Sequence, residues 1–241
     1  MNQPATQNSH PNLFLRRSQL YRWHLQAGAH YGESTAAGMV EHYPGYDDGR
    51  ELGALLGLAD LSTLPRTGFK GRGAPAWVQQ QAGEIPDRPN RAQPHSDGSL
   101  VARLSQQELL ILGDLEFNSD LAERLQRNGS LASAEGVYVL PRADSHCWFA
   151  LTGLYAVETF SKVCGVDLRE VKFALGDVAQ TSLARVNAII IRHQLGNTPC
   201  FYILSDACSA QFLWTSLLDA ALEFDGGPIG MAALRGLALD D

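Results

Sequence analysis

The chain has 241 residues, of which 45% are hydrophobic and 19% charged, and its 19 basic and 26 acidic side chains give a formal net charge of −7. A chain of this length buries about 70% of the surface that its unfolded form exposes, so we expect it to form a core of its own. The acidic balance argues against nucleic acid and membrane surfaces as partners. The sequence also lacks an apolar run of ~20 residues and a secretory pattern, which predicts a cytoplasmic protein.

The four cysteines do not form a recognisable framework. Cys147, Cys164, Cys200 and Cys208 include no C-x-x-C pair and follow no regular spacing. This pattern supports neither a set of disulfides nor a zinc knuckle. We expect reduced thiols that are mostly buried.

The first half of the chain predicts helices, a loop-rich stretch and one hairpin. Leu20, Trp23 and Ala27 recur at helical spacing, and Gly28 can end that helix. Residues 1–12 are polar and predict a disordered tail. The predicted elements are helices within 13–29 and 47–57, a loop-rich stretch over 70–97 with a helix near 75–81, hairpin strands at 99–104 and 108–112, and a helix over 118–128.

The second half predicts a regular β-α-β-β-α order, which one further strand would complete as a split β-α-β sheet with helices on one face. This order favours an α+β fold over a doubly wound parallel sheet. On a continuous strand over 181–193, Arg185 and Arg192 would face opposite sides. The predicted elements are strands at 146–152, 181–193 and 200–204, and helices at 154–164 and 207–224.

One glycine pattern is similar to a dinucleotide-binding turn. Gly71, Gly73 and Ala76 match G-x-G-x-x-A. However, the preceding residues 61–69 include Pro65 and do not form a clear buried strand, and no acidic residue follows where a ribose contact requires one. We interpret the pattern as a plain junction between a loop and a helix.

Histidines offer two further candidate sites. His24, His30 and His42 lack the spacing of three or four residues that places two metal ligands on one helix face. We expect His24 to pack on an apolar face and the other two to lie near the surface. His146 and Cys147 are neighbours on a predicted strand, so they point to opposite faces and cannot pair as base and thiolate. The sequence assigns no metal ligand and no catalytic residue.

Seven short motifs run in register from about residue 18 to residue 239. They are Leu20-Tyr21-x-x-His24-x-x-x-Gly28-Ala29, Gly57-Leu58-Ala59-Asp60-Leu61-Ser62, Gly71-Arg72-Gly73-Ala74, Asp97-Gly98-Ser99, Phe149-Ala150-Leu151-Thr152-Gly153, Leu213-Trp214-x-x-Leu217-Leu218 and Gly230-Met231-Ala232-Ala233. Together they resemble glycine-cleavage T-proteins, the folate-dependent aminomethyltransferases. A further motif, Gly176-x-x-Ala179-Gln180-Thr181-x-Leu183-Ala184-Arg185, resembles the gamma subunit of heterotetrameric sarcosine oxidases.

Either resemblance implies two split β-α-β (ferredoxin-like) lobes, as in the first two domains of T-proteins. The lobes are expected at residues 13–141 and 142–241, after the tail at 1–12. The third, barrel domain of T-proteins has no counterpart in this sequence. The resemblance also implies a role in one-carbon or N-methyl amine metabolism.

The sequence departs from the T-protein pattern where that pattern implies folate binding. Residues 98–103 carry no acid where the family has an acidic pair beside the folate reaction centre. Thr198 and Tyr202 replace two glutamates, and Leu234 replaces an arginine that would face a folate carboxylate. Each unmatched neutral donor costs about 1–3 kcal/mol, so tight folate binding is not expected. By family position, Arg192 and Asp60 remain as cofactor-binding candidates.

These departures favour an accessory or structural subunit that is similar to the sarcosine oxidase gamma subunit and needs no cofactor. Its expected partner is a flavin-dependent amine oxidase-type subunit, with a homo-oligomer as the alternative. Two other functions stay open: a diverged tetrahydrofolate-dependent aminomethyltransferase or demethylase, and a module that binds a small amine or folate. We expect the apolar residues 229–239 to contact the partner, and the four tryptophans to line a cavity or partner surface, namely Trp23, Trp77, Trp148 and Trp214.

Overall fold

The computed structural model describes residues 14–32, 37–45, 49–131 and 135–239. In these ranges two β-sheets share one buried apolar cluster, and helices cover the opposite face of each sheet. The α+β class predicted from the sequence is therefore confirmed. The predicted tail at residues 1–12 lies outside the described residues.

The N-terminal segment packs beside the larger sheet and supplies one of its strands. The helix predicted within 13–29 is shorter than expected, because Arg16 forms an isolated β-bridge with Ala37 and the preceding chain is not helical. Gly28, with φ of +72°, follows the helix as predicted. The elements are α1 (Tyr21–Gln26), β1 (His30–Tyr31), β2 (Val40–His42), α2 (Arg50–Leu56) and β3 (Gly57–Asp60).

A five-stranded sheet comes next, in the order β5-β6-β7-β4-β8. Its elements are β4 (Arg66–Lys70), α3 (Ala74–Ala82), β5 (Arg91–Pro94), β6 (Leu100–Ser105), β7 (Glu108–Leu112), α4 (Leu121–Leu131) and β8 (Tyr138–Leu140). The hairpin predicted from the two apolar runs is confirmed as β6 and β7. Helix α4 continues through Gly129, past the end predicted at residue 128, and a Cβ at Gly129 would lie 2.8 Å from the Phe69 ring. This glycine permits close packing instead of ending the helix.

The second sheet has six strands, in the order β10-β11-β12-β9-β3-β13. Its further elements are α5 (Arg142–Ser145), β9 (His146–Thr152), α6 (Ala156–Val163), β10 (Val178–Leu183), β11 (Val186–Leu195), β12 (Thr198–Asp206), α7 (Ala210–Ala221), β13 (Gly227–Pro228) and α8 (Met231–Ala238). Strand β9 has the bounds predicted from the sequence. None of the helices in the described ranges is long and apolar enough to cross a membrane.

The two sheets repeat one topology. In β4-α3-β6-β7-α4-β8, the first strand lies between the third and the last, which is the order of a split β-α-β sheet. In β9-α6-β11-β12-α7-β13 the order is the same, except that β3 is inserted between the first strand and the last. Strands β5 and β10 extend the corresponding end of each sheet and meet there, since Ala92 N–H donates to Gly176 O at 2.7 Å and Val178 N–H to Asn90 O at 3.1 Å. The two edges thus cover one another.

The lobe boundary expected at residue 141 stays a prediction, and one strand from the first range joins the six-stranded sheet. Strand β3, from the range 13–141, lies between β9 and β13 in the six-stranded sheet, and Gly57 pairs with Thr152. The larger sheet therefore contains strands from both parts of the chain.

The single strand predicted over 181–193 is wrong, because the chain folds back at Ala184 and Arg185. These two residues have φ of +47° and +70° and join β10 to β11 as a two-residue hairpin loop. Such loops ordinarily contain Asn-Gly or Asp-Gly, so Ala-Arg gave no turn signal. Arg185 consequently lies in a turn, and it shares no strand with Arg192.

We expect the double substitution Ala184→Asn and Arg185→Gly to raise the free energy of unfolding by about 1 kcal/mol. Positive φ is strained for alanine and arginine but accessible to asparagine and glycine. The Ala184 N–H that donates to Val163 O is retained in the variant. Urea titration measures the change, and Arg185→Ala is the matched control, with no expected gain. An unchanged or lowered midpoint for the double variant would show that the turn is not strained.

The expectation that residues 229–239 form a partner contact is contradicted by their burial. Ile229, Met231, Ala233, Leu234 and Leu237 are at most 2% exposed and belong to the cluster between the sheets. Helix α8 packs on α2 and β2 of the same chain. The apolar character of this segment is explained by the chain's own core.

Candidate functional site

Several residues of the segments that depart from the T-protein pattern lie in the cluster between the sheets. Leu100 on β6, Tyr202 on β12 and Leu234 on α8 are 7%, 5% and 0% exposed. The Tyr202 ring stands edge-on to Trp148 at 5.2 Å and stacks on His193 at 4.7 Å. These side chains fill the region with apolar and aromatic groups.

Burial also keeps the titratable groups of this region neutral. It raises the pKa of Tyr202 well above its usual value and lowers the pKa of His193 to about 4. At neutral pH neither side chain offers the anionic group that the two replaced glutamates would supply. The region therefore lacks a carboxylate that could pair with a protonated ligand at these positions.

Asp60 belongs to a different, polar cluster, which links α1 and the loop after β2 to the six-stranded sheet. His24 Nε2 lies 2.9 Å from Asp60 Oδ2, and His24 Nδ1 lies 2.7 Å from the Tyr43 hydroxyl. The Ser18 hydroxyl donates to the same Asp60 oxygen, and Ser62 N–H donates to Oδ1 at 2.9 Å. Every carboxylate oxygen of Asp60 is thus matched by a donor.

This cluster is sealed from solvent. The side chains of His24 and Asp60 are 1% and 2% exposed, and the Trp214 ring stands edge-on to His24 at 5.4 Å. Burial alone would raise the pKa of Asp60, but the hydrogen bonds and charge of His24, with the hydrogen bonds of Ser18 and Ser62, lower it overall. An ionised, enclosed Asp60 suits the anchoring of α1 to the sheet.

Arg192 lies far from Asp60. Its guanidinium carbon is 4.9 Å from the centre of the Phe201 ring, and Nη2 is 3.9 Å from Glu170 Oε2. The sheet register runs from Arg192 through Phe201 and Leu151 to Leu58, which places Arg192 about 14 Å from β3 across three strand spacings. The two cofactor-binding candidates are therefore not brought together.

Both candidates also lie on the side of the sheet opposite Tyr202. Phe201, the cross-strand neighbour of Arg192, belongs to the cluster under α6 and α7. Tyr202 belongs to the cluster between the sheets. Leu58, two residues before Asp60 on β3, belongs to the same helix-covered cluster as Phe201. Asp60 and Arg192 consequently line no common pocket with the positions that depart from the family.

Ser145 and His146 form a pair that looks like a nucleophile and its base. His146 Nδ1 lies 2.8 Å from the Ser145 hydroxyl, and Nε2 lies 2.7 Å from Arg142 Nη1. Because arginine can only donate hydrogen bonds, His146 Nε2 must be the acceptor from Arg142. The ring proton is then on Nδ1, which donates a hydrogen bond to the Ser145 hydroxyl oxygen. Burial and the positive charge of Arg142 lower the pKa of His146 to about 4. His146 in this form cannot remove the serine proton.

The remaining candidates keep their structural interpretation. Burial raises the pKa of Cys147 to about 12, and its side chain lies on the opposite face of β9 from His146, as predicted. The stretch at Gly71 packs against backbone, because a Cβ there would lie 2.1 Å from Gly136 O. It leads directly into α3, so it is the predicted loop-to-helix junction. All four cysteines are free thiols.

His24, His30 and His42 do not converge on one point. His30 and His42 stack across the β1–β2 pair with ring centres 4.5 Å apart, whereas His24 bonds Asp60. The described residues contain no group of three or more ligand side chains suited to a metal ion. His24 packs against the Trp23 and Trp214 rings, but it also bonds Asp60 and Tyr43, which the expected apolar face did not include. Its partner Asp60 lies in another of the matching motifs, a signal that would have linked the two.

Comparisons with known proteins agree with the resemblance seen in the sequence. An aminomethyltransferase of Saccharopolyspora erythraea is 26% identical over 243 residues, covering 93% of this chain and 63% of that protein. The chain is therefore similar in sequence to an aminomethyltransferase, as its motifs indicate. It spans less than two thirds of the length of that relative. No family model matches this chain.

Two solved structures share the fold of this chain. Aminomethyltransferase T of the glycine cleavage system from Bartonella henselae matches with a TM-score of 0.71 and 18% identity, over 93% of this chain and 62% of that one. A chain of heterotetrameric sarcosine oxidase from Corynebacterium sp. U-96 matches with a TM-score of 0.65 and 20% identity, over 88% of this chain and 98% of that one.

Proposed function

We propose that this chain is an accessory subunit of a cytoplasmic complex that oxidises N-methyl amines, and that it has lost folate chemistry. The observation that carries the proposal is the filled cluster between the sheets, where Tyr202 and Leu234 stand at folate positions of the family and Leu100 belongs to the acid-free segment 98–103. The two repeated sheet units correspond, in this proposal, to the first two domains of a T-protein.

The length of the matches supports a subunit more than an enzyme. The fold accounts for 98% of a chain of heterotetrameric sarcosine oxidase but only 62% of an aminomethyltransferase. A chain that matches nearly all of one component of a larger assembly fits a supporting role in such an assembly. The proposed partner is a flavin-dependent amine oxidase-type subunit.

The second candidate is a diverged tetrahydrofolate-dependent aminomethyltransferase or demethylase, which the 26% identity to an aminomethyltransferase favours. This candidate needs a folate pocket in which residues other than those at the family positions bind the pterin. A direct binding measurement separates it from the subunit.

We expect the purified chain to bind tetrahydrofolate with a dissociation constant above 1 mM, which corresponds to a binding free energy less favourable than about −4 kcal/mol. The reason is that no carboxylate stands at the family's pterin positions Thr198 and Tyr202. Isothermal titration calorimetry measures this, with an active T-protein as the positive control. A dissociation constant of about 1 μM or tighter, about −8 kcal/mol, would contradict the accessory role and support the transferase.

The partner is tested by native mass spectrometry of the protein isolated from its own host. We expect a stoichiometric complex that contains a flavin-carrying subunit. Recovery of the chain only as a monomer, or only as a homo-oligomer, would contradict the proposed assembly.

A further inference from the structure

Arg66 is a buried cation whose hydrogen bonds all go to backbone carbonyls. The residue is 2% exposed. Its Nη1 donates to Ser62 O and Leu64 O, both at 2.9 Å, and its Nη2 donates to Ala143 O at 3.0 Å and to His146 O. The Nε–H is buried without an acceptor. Within the described part of the chain, the guanidinium pairs with no carboxylate.

A buried guanidinium without a counter-charge is energetically unfavourable, and carbonyl dipoles compensate it only in part. Burial, followed by the positive charge of Arg16, lowers the pKa of Arg66 to about 10. The group is therefore still protonated at neutral pH. It leaves a positive charge next to a cavity that opens to solvent.

This cavity, of about 300 Å³, is lined by three arginines, Arg16, Arg66 and Arg127. Arg16 Nη2 donates to Ala143 O at 2.9 Å, the same carbonyl that Arg66 uses, so two guanidinium groups meet at one oxygen. Arg127 is exposed and has no partner among the described residues. Its donors are free to bind a ligand.

Two carboxylates also line the cavity. The Asp144 side chain is 84% exposed, with Oδ1 4.0 Å from Arg16 Nη2, and Glu123 is exposed. Exposed carboxylates are screened by water and contribute little to the neutralisation of a buried cation. The cavity is thus lined by three guanidinium groups and only two carboxylates, both in contact with solvent, so its lining has an excess of positive charge.

We propose that this cavity binds a small oxyanion, a carboxylate or phosphate group, held by Arg16 and Arg127 above the buried charge of Arg66. Guanidinium groups bind both kinds of oxyanion through paired N–H donors. The bound group supplies a counter-charge close to Arg66, on which Asp60 and Asp144 act without a direct ion pair. The site lies apart from the cluster between the sheets, so the proposal stands independently of the accessory role.

The test is thermal unfolding of the full chain against increasing inorganic phosphate or malonate, with ionic strength held constant by chloride. We expect a saturable rise of the melting temperature with at least one of the two anions, and the stronger response identifies the preferred class. A ligand that binds the folded state but not the unfolded state raises the melting temperature in this way.

Arg127→Gln is expected to weaken the fitted affinity about tenfold while leaving the melting temperature without ligand unchanged, since Arg127 bonds no other described residue. The matched control is Arg88→Gln, which removes another exposed, unpaired arginine away from the cavity. Its affinity is expected to equal that of the natural chain. No saturable response to either anion would overturn the proposal, and so would equal affinities of the two variants.

Discussion

Replacing Asp60 by alanine is expected to lower the free energy of unfolding by about 3–5 kcal/mol. The substitution leaves His24 Nε2, the Ser18 hydroxyl and Ser62 N–H without their buried acceptor. It also releases α1 from the sheet. Denaturant titration at neutral pH measures the loss, and Asp219→Ala is the matched control, because Asp219 is exposed and has no described partner.

The Asp60→Ala variant should also change how the free energy of unfolding depends on pH in acid. The pKa of Asp60 is lower in the folded state than the value of about 3.9 in the unfolded chain, so its contribution is complete above about pH 4 and is lost as the pH falls through the folded value. The gap between the natural chain and Asp60→Ala should therefore narrow below about pH 4. A loss under about 1 kcal/mol, or a gap that widens in acid, would contradict the anchoring role.

Restoring a family carboxylate by Tyr202→Glu is expected to destabilise the chain by about 3–5 kcal/mol and not to create folate binding. The new carboxylate would lie against Trp148 and His193 without a cationic partner, in a cluster where Tyr202 is 5% exposed. The loss of the aromatic ring adds a cavity cost. The readouts are denaturant titration and tetrahydrofolate calorimetry.

Tyr202→Phe separates the charge from the packing. It keeps the ring on Trp148 and His193 and removes a hydroxyl that bonds no described residue, so the expected change is below about 1 kcal/mol. If Tyr202→Glu is as stable as Tyr202→Phe, the region between the sheets is wet and open. That result, with gained folate affinity, would restore the transferase as the better proposal.

Regular patterns made much of the fold predictable from the sequence. Strand β9 and the β6–β7 hairpin were found from continuous apolar runs bounded by polar residues. The Ala184–Arg185 turn was missed because its positive φ values are imposed by tertiary packing on residues that do not favour them. The repeated sheet topology is implied by the family resemblance and not by the residue pattern, since two sequences can share a strand order without sharing a periodic pattern.

Less of the candidate site than of the fold could be predicted from the sequence. The departures at Thr198, Tyr202 and Leu234 were readable because they are changes of residue type. Their consequence, a filled cluster instead of an empty pocket, depends on packing between two sheets and could not be read from one chain position at a time. For the same reason the apolar segment 229–239 was assigned to a partner, although the chain's own α2 and β2 cover it.

The insertion of β3 into the six-stranded sheet sets the order of events during synthesis. Residues 57–60 leave the ribosome long before their partner β9, which ends at Thr152. Until β9 has been synthesised, β3 lacks this pairing partner. Bringing β3 and β9 together closes a long loop, which is slow. A nascent chain stalled before residue 146 would expose β3 to chaperones and proteases. We therefore expect β3 to become resistant to proteases only after β9 has been synthesised.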